Sequence, residues 1–199
     1  KKPTVGVISS GDELVDLTNS FENGTPIPTG GKIIDANRPM LLSLASSNGT
    51  AVIDYGICSD SKSATKTILQ KAMEECDIII TSGGVSMGSA DYLKAVLLEL
   101  NATIYFGRME MKPGKPTTFA SFTHPTTKKT TLIFALPGNP VSCLVCSQLL
   151  VIPSINILAS KKSSFSHPRV NAVLNHDIKL DSERPEYHRA TLKYDDSTS

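Results

Sequence analysis

The sequence predicts an α/β fold: a three-layer α/β/α domain around a mostly parallel sheet, followed by an incomplete β segment. Short apolar runs rich in β-branched residues alternate with stretches of helical periodicity, which is typical of strands joined by crossover helices. Apolar residues make up 40% of the 199 residues and charged residues 20%, as in globular proteins. Beyond residue 168 the pattern changes to alternation with a period of two, which is typical of antiparallel strands.

The first half of the chain predicts two strand–helix units. A buried strand over residues 3–9 runs into the turn SSGDEL, and a helix follows over residues 37–48. We expect Asn37 to cap this helix, because asparagine is a favoured N-cap residue. The second unit is a strand over residues 51–58 and a helix over residues 61–75 with one apolar side.

The second half of the chain predicts the rest of the sheet. The run DIIITSGG is a continuous apolar strand that stops at a glycine turn. The other expected elements are a helix over 89–100, a strand over 102–109, a hairpin of 117–122 with 130–136, and a helix over 139–158. Asn139 is the expected N-cap of this last helix and Pro140 its first residue.

The chain divides into three parts by composition. Residues 1–160 form the predicted α/β domain, and residues 161–168 change abruptly to small and basic residues, as in a linker. Residues 169–199 are the expected start of a second β domain, which is incomplete because two strands cannot form a stable domain.

Charge and cysteine content exclude several classes of protein. Twenty basic and nineteen acidic residues give a formal charge of +1, so no global field attracts nucleic acid or an acidic membrane. No apolar run approaches the roughly 18 residues that span a bilayer, and the first residues do not form a signal peptide. Four scattered cysteines are too few for a disulfide framework. We therefore expect a reduced, cytoplasmic protein that binds anions through local geometry.

The segment TSGGVSMGSAD, residues 81–91, is the first candidate for binding an anion. Glycines directly after a buried strand let several backbone N–H groups point into one concavity, and the following helix adds its positive end. Ser82 and Ser86 offer hydroxyl groups, and Asp91 lies one turn into the helix. The alternative is an ordinary glycine turn with Asp91 as a first-turn helix charge.

Two further segments carry groups suited to an oxyanion. In MKPGKP, Lys112 and Lys115 are held on a stiff Pro-Gly turn, and the alternative is a solvated surface turn. In LPGNPVS, the N-terminus of a helix and the Ser142 hydroxyl face the end of a strand. Plain capping explains Asn139 here but leaves Ser142 unexplained.

Acidic residues follow two of the predicted strands. Asp12 and Glu13 come after the first strand, and Asp60 follows the strand over residues 51–58. Because parallel strands end at one edge of a sheet, these carboxylates are expected beside the glycine turn, where a divalent cation could bridge them to phosphate. The alternative for Asp60 is the N-cap of the helix that begins at Ser61. The pair Cys143 and Cys146 lies in an apolar helix without a second ligand pair, which indicates buried thiols rather than zinc.

Six motifs occur together in one order: SSGDEL, DANRPML, TSGGVSMGSADYLK, MKPGKPTTFA, FALPGNPVS and RPEYHR. This set resembles the molybdopterin molybdenumtransferase family, which includes the bacterial MoeA enzymes and the E domain of animal gephyrin, with the animal branch most similar. The resemblance covers subdomain III of that family, whose fold is shared with the molybdopterin adenylyltransferases, and the start of the β-barrel subdomain IV. Subdomains I and II are not represented, so we expect this stretch alone to be inactive.

The resemblance implies a reaction and a set of roles. The reaction is insertion of molybdate into adenylylated molybdopterin, with magnesium as the ion and AMP as a product. Glu13, Asp60 and Asp91 resemble the catalytic acids of the family, and Asp60 and Asp91 its metal ligands. The residues that resemble its pterin- and molybdate-binding groups are Thr81, Ser82, Gly83, Gly84, Ser86, Gly88, Lys112, Lys115, Pro137, Gly138, Asn139, Ser142 and Arg189.

The resemblance also implies partners and leaves alternatives open. A second copy of the protein and the molybdopterin adenylyltransferase domain are the implied protein partners. In the gephyrin branch, the cytoplasmic loops of inhibitory receptors are a further partner class. An adenylyltransferase is the alternative enzyme, because the shared fold carries a similar glycine turn, and a receptor-clustering scaffold is the non-enzymatic alternative.

Overall fold

The computed structural model describes residues 2–16, 30–84, 92–160 and 167–194. Its main sheet has six strands in the order β4-β1-β5-β8-β7-β6. The strands are β1 (Thr4–Ser10), β4 (Ala51–Cys58), β5 (Ile78–Ser82), β6 (Thr103–Phe106), β7 (Thr118–Thr123) and β8 (Thr130–Leu136). The pairs β4–β1, β1–β5 and β5–β8 are parallel, and β7 runs antiparallel to both of its neighbours. Two short strands, β2 (Leu14–Val15) and β3 (Ile33–Ile34), form a separate parallel pair.

Helices cover both faces of this sheet. They are α1 (Asn37–Ser47), α2 (Lys62–Glu75), α3 (Tyr92–Glu99) and α4 (Pro140–Leu158), whose middle forms a π-helical segment at Ser147–Val151. Ile79 packs in a cluster with α2 and α3, whereas Ile78 and Ile80 pack in a second cluster with α1 and α4. The alternation explains why β5 begins with three isoleucines, since both of its faces are buried. The predicted three-layer, mostly parallel fold is confirmed.

The hairpin and the helix ends match the sequence in most places. Strands β7 and β8 form the predicted antiparallel hairpin, and Asn139 caps α4 by accepting hydrogen bonds from Val141 N and Ser142 N. The predicted cap of α1 is wrong. Asn37 is the first helical residue, and the N-cap Ala36 makes no side-chain hydrogen bond. The Asn37 amide is instead used between two turns of the candidate site.

Helix α4 is long and apolar enough to be a candidate membrane span, contrary to the expectation that the chain has none. Over its 19 residues the mean hydropathy of the most apolar window is 2.0, so by length and composition it could cross a membrane. Cys143, Cys146 and Ile155 on this helix are fully buried in the core cluster against the sheet. In all, 33% of that window is buried inside the structure.

The tail does not form the two predicted strands. Across residues 167–194, the only β pairing is an isolated bridge of Glu186 with Lys112. A chain becomes a strand only where a neighbouring strand satisfies its backbone groups, and the period-two pattern of this tail meets no such neighbour among the described residues. The boundary at 160–168 and the assignment of a second domain stay predictions.

Candidate functional site

The ends of four parallel strands meet at one edge of the sheet, which we call the rim. Strands β1, β4, β5 and β8 all finish there because they run in the same direction. The chain then continues into residues 11–13, residues 59–60, the glycine turn of residues 82–84, and residues 137–139. In an open α/β sheet, the crevice at the carboxyl ends of the strands is the usual place for a ligand.

The glycine turn approaches its neighbours more closely than any side chain would permit. Gly83 has φ +86°, and a Cβ atom there would lie 2.2 Å from the backbone oxygen of Ser10. Gly83 N also donates to Leu136 O at 3.2 Å, and a Cβ atom on Gly138 would lie 3.5 Å from Gly83 Cα. The backbones of three strand ends therefore touch at Gly83, as the sequence predicted from glycine after a buried strand.

Asn37 joins the glycine turn to the segment before α4. Its Nδ2 donates to Ser82 Oγ at 2.7 Å and to Gly138 O at 2.8 Å. Ser82 and Thr81, both in the predicted binding set, are buried at the end of β5, so they support the turn from below. The Asn37 Oδ1 and Thr81 Oγ1 atoms are buried and make no hydrogen bond within the described part of the chain.

The acids of the rim form a reciprocal pair between two strand ends. Asp12 N donates to Asp60 Oδ2 at 3.3 Å, and Asp60 N donates to Asp12 Oδ1 at 3.1 Å. Asp60 Oδ1 also accepts from Ser10 Oγ at 3.1 Å and from Tyr92 OH at 3.0 Å. The alternative of Asp60 as a helix cap is wrong, because Ser61 caps α2 by accepting from Ala64 N. The Asp60 carboxylate is held on the rim by three donors, Ser10 Oγ, Asp12 N and Tyr92 OH.

Glu13 and Ser142 also lie where the sequence placed them. The exposed Glu13 carboxylate folds over Gly11, where an added Cβ atom would lie 2.7 Å from both of its oxygens. Ser142 Oγ is 3.5 Å from Asn139 Oδ1 in the first turn of α4, and Gly138 and Asn139 before it are exposed. Pro137 is buried at the end of β8. The start of α4 thus places the Ser142 hydroxyl beside the rim, while the N–H groups of Val141 and Ser142 are capped by Asn139.

The two lysines of residues 111–117, the lysine turn, differ in their surroundings. The turn is closed by Met109 N donating to Lys115 O at 2.9 Å and rests on the buried Cys146, whose Sγ would be 2.5 Å from a Cβ on Gly114. Lys112 Nζ lies 2.7 Å from Glu186 Oε1 and 3.6 Å from Asp181 Oδ2. Lys115 is exposed and forms no ion pair with any residue whose position is described.

Ion pairing and burial shift several pKa values near the site. The hydrogen bond to Glu186 raises the pKa of Lys112, and the same bond lowers the pKa of Glu186 to about 2. The backbone N–H of Glu183 and then the Arg184 side chain lower the pKa of Asp181 to about 2. Burial raises the pKa of Cys143 to about 12, so this thiol stays neutral, in agreement with the prediction of a structural cysteine.

Some predicted residues lie outside this geometry, and some contributors were missed. Ser86, Gly88 and Asp91 fall outside the described residues. Arg189 is exposed in the tail, three residues after Glu186. Asn37, Ser10 and Tyr92 were not predicted. Asn37 lies in the motif DANRPML, where a helix-capping role also accounts for an asparagine. Tyr92 directly follows the predicted site residue Asp91.

The rim acids suit magnesium in their chemistry. Magnesium is usually held by one or two carboxylates together with substrate phosphates, so it does not need a cage of protein ligands. Asp60 and Asp12 supply carboxylates at adjacent strand ends beside the glycine turn. Within residues 2–16, 30–84, 92–160 and 167–194, no group of three or more histidine, cysteine or acidic residues could enclose a metal by itself. Two carboxylates beside the glycine turn are a donor set that suits an ion shared with a phosphate.

Comparisons with known proteins identify the family of this chain. Residues 6–156 match the family model described as "Probable molybdopterin binding domain". The chain is 39% identical over 219 residues to a protein named gephyrin from Dictyostelium discoideum, with 98% of this chain and 30% of the relative covered. It is 34% identical over 187 residues to a molybdopterin molybdenumtransferase from Nostoc, with 94% of this chain and 41% of the relative covered.

A solved structure agrees in fold as well as in sequence. The crystal structure of a molybdopterin biosynthesis MoeA protein from Pyrococcus horikoshii shares 31% identity with a TM-score of 0.67. The match covers 81% of this chain and 37% of that protein. The chain thus spans less than half the length of these relatives.

Proposed function

The chain belongs to the molybdopterin-binding domain family, and from this premise we propose that it acts in molybdenum cofactor synthesis as a molybdopterin molybdotransferase. The proposed reaction converts adenylylated molybdopterin and molybdate into molybdenum cofactor and AMP. The observation that carries the proposal is the rim, where a backbone-lined turn, a helix N-terminus, an exposed lysine turn and paired acids follow strand ends or adjoin them.

The glycine turn is the proposed cradle for the phosphate groups of the pterin. Phosphate is bound well by backbone N–H groups that converge at a strand end, since they need no side-chain rearrangement. Gly84 has φ +67° and is only partly buried, so its backbone can approach an anion, while the Gly83 N–H donates to Leu136 O and fixes the turn. Ser86 and Gly88 complete this proposed cradle in the segment outside the described residues.

Molybdate is the proposed ligand of the groups around α4 and the lysine turn. It is a doubly charged tetrahedral oxyanion, and such anions are held by ammonium groups, guanidinium groups and helix N-termini. Lys115, Ser142 and Arg189 are the proposed direct contacts, and the segment of Pro137, Gly138 and Asn139 shapes the entrance to them. Lys112 is assigned to the same region by resemblance, although its ammonium group is paired with Glu186.

The acids are proposed to act on the pterin–AMP anhydride. Asp60 and Asp91 would hold magnesium, which when bound reduces the cost of the negative charge that develops on AMP. Ser10, Tyr92 and the Asp12 backbone fix the Asp60 carboxylate on the rim by donating hydrogen bonds to it. Glu13 is the third proposed acid. No covalent nucleophile is required, because the anhydride supplies the driving force and the protein supplies position and charge.

Three attributes of the whole protein are part of this proposal and follow from the family. We propose that it works in the cytoplasm, that it forms a homodimer, and that it receives its adenylylated substrate from a molybdopterin adenylyltransferase domain that uses ATP. The gephyrin name of one relative extends the possible partners to cytoplasmic loops of inhibitory receptors, but no contact described here favours that role over the enzyme.

The test is release of AMP from adenylylated molybdopterin by the full-length protein that carries this chain. Asp60→Asn and Asp91→Asn should keep pterin binding and lose AMP release, because a neutral amide is a poor magnesium ligand. Lys115→Ala and Ser142→Ala should weaken molybdate uptake about ten- to a hundredfold and be partly rescued by excess molybdate. Lys128→Ala, on the exposed hairpin tip, is the matched control.

Two results would contradict the proposal. One is normal AMP release by the acid variants, or full rescue of them by molybdate. The other is formation of adenylylated pterin from molybdopterin and ATP without any molybdate-dependent step, which identifies an adenylyltransferase instead.

A further inference from the structure

Lys112 contacts the tail, residues 167–194, through its backbone as well as its side chain. Lys112 N donates to Pro185 O at 2.9 Å, and Tyr187 N donates to Lys112 O at 2.8 Å. These two bonds form the isolated bridge between Lys112 and Glu186. The backbone of the tail is therefore fixed to the lysine turn on both sides of Glu186.

The side chain of Lys112 closes the same contact. Its ammonium group pairs with Glu186 at 2.7 Å and Asp181 at 3.6 Å, and only 6% of the Glu186 side chain is exposed. Asp181 N donates to Glu186 Oε2 at 2.8 Å, and Asp181 Oδ2 pairs with Arg184 at 2.8 Å. Residues 181–188 thus form a small cross-linked loop whose acids converge on one lysine. We call Lys112 together with residues 181–188 the clamp.

No such loop pairs with the second lysine of the lysine turn, Lys115, in the described part of the chain. Lys115 lies three residues after Lys112 and is exposed, without an ion pair in the described part of the chain. The positive charge of Lys112 is compensated by Glu186, whereas that of Lys115 is not. An incoming oxyanion would meet the Lys115 ammonium group without a competing ion pair but would have to compete with a carboxylate for Lys112.

We propose that Lys112 is a positioning residue: it docks residues 181–188 on the lysine turn and so carries Arg189 to the anion that Lys115 meets directly. Arg189 is three residues beyond Glu186, so its Cα atom lies within about 11 Å of the docked residue. The inference rests on the proposed function for the identity of the anion. The inference gives Lys112 and Lys115 different roles, although both belong to the motif MKPGKP.

The decisive variant is Glu186→Gln, because the two possible roles of Lys112 predict opposite signs. If Lys112 only docks the tail, losing its partner loosens Arg189 and lowers the affinity for molybdate. If Lys112 binds the anion itself, Glu186→Gln frees its ammonium group and raises the affinity. Glu183→Gln is the matched control, since it removes an exposed charge of the same loop whose side chain is not paired with Lys112.

The experiment measures binding of inorganic molybdate by calorimetry and hydrogen exchange of the Tyr187 amide, both on the full chain. We expect Glu186→Gln to lower molybdate affinity about three- to tenfold and to speed Tyr187 exchange, while Glu183→Gln changes neither by more than about twofold. The free energy of unfolding should stay the same in both variants.

A higher affinity in Glu186→Gln than in Glu183→Gln overturns the inference, and so does an unchanged Tyr187 exchange rate. Failure of the wild-type chain to bind molybdate contradicts the proposed function instead. In that case the Tyr187 amide alone decides whether Lys112 docks the tail.

Discussion

Two regions beside the rim hold it together by different means. The floor, formed by Asn37, Ser82, Gly83 and Gly138, relies on uncharged hydrogen bonds and on backbones that touch. The clamp relies on ion pairs between distant parts of the chain, which join the exposed Lys112 to the nearly buried Glu186 side chain. Steric contact tolerates almost no substitution, whereas an ion pair places charge. The floor therefore determines whether the site exists, and the clamp determines what charge it presents.

Arg38, next to Asn37, should give the largest effect on stability. Its guanidinium pairs with Asp16, Asp54 and the buried Asp35, which fixes the start of α1 and hence the floor. Arg38→Met removes the guanidinium partner of the buried Asp35 carboxylate, so we expect a loss of about 3–5 kcal/mol in the free energy of unfolding. Urea denaturation followed by circular dichroism measures it.

The control for Arg38 is an exposed ion pair. Lys62 pairs with Glu99 between α2 and α3, and both side chains are largely open to solvent. Lys62→Met should cost less than about 1 kcal/mol. Equal losses in the two variants would show that burial of the Arg38 cluster does not matter.

Gly83 should give the next largest effect, and it separates steric contact from backbone strain. Gly83→Ala places a Cβ atom 2.2 Å from Ser10 O at φ +86°, whereas Gly49→Ala has nearly the same φ, +83°, with nothing within 4 Å. We expect a loss of about 1 kcal/mol at Gly49 and about 2–3 kcal/mol more at Gly83. The free energies of unfolding of the two variants are compared directly. Similar values would contradict a steric cost from the contact of Gly83 with Ser10 O.

Asn37 should give a smaller loss that is shared with Ser82. Asn37→Ala removes the hydrogen bonds to Ser82 Oγ and Gly138 O, which should cost about 1–3 kcal/mol. Ser82→Ala removes only one of them and should cost less. A double-mutant cycle on unfolding free energies should give a coupling of at least about 0.5 kcal/mol. Strict additivity would argue against their hydrogen bond.

The clamp should give the smallest effect on stability and one that depends on pH. The Lys112 ammonium group lowers the pKa of Glu186 to about 2, from an ordinary 4.5, whereas the depressed pKa of Asp181 comes from the Glu183 N–H and Arg184 within the tail itself. A carboxylate with a depressed pKa stabilises the docked form at every pH above its ordinary pKa. This stabilisation is lost as the pH falls toward the depressed pKa of the docked form. Docking of the tail should therefore be constant from pH 7 to about pH 5 and weaken between about pH 4.5 and pH 2.

The chemical shift of the Tyr187 amide, followed from pH 7 to pH 2.5, measures this loss. High salt at pH 7 should weaken the clamp as well, because exposed charges are screened, but it should leave the floor unchanged. Tail docking that responds to neither pH nor salt would contradict an electrostatic clamp.

The sequence predicted the layers of the fold well because burial repeats along each element. Ile78, Ile79 and Ile80 are apolar because both faces of β5 are covered, and that pattern is visible without coordinates. The same reasoning placed Asp60 and the glycine turn at one edge, since parallel strands end together. These are consequences of chain direction alone.

Contacts between distant segments could not be predicted in this way. Asn37 resembles a helix cap in sequence, and its bond to Gly138 spans 101 residues. The pairing of Lys112 with Glu186 likewise depends on where the tail lies, so two lysines of one motif looked equivalent. The tail strands were predicted from local alternation, but a strand also needs a neighbour.

Anomalous diffraction at the molybdenum edge, from crystals of the protein soaked with molybdate and AMP, tests the central claim most directly. We expect one molybdenum peak with oxygens about 3 Å from Lys115 Nζ and from Ser142 Oγ, and the AMP phosphate beside the glycine turn. A molybdenum peak away from this edge of the sheet, or one held by Lys112 with Glu186 displaced, would contradict it.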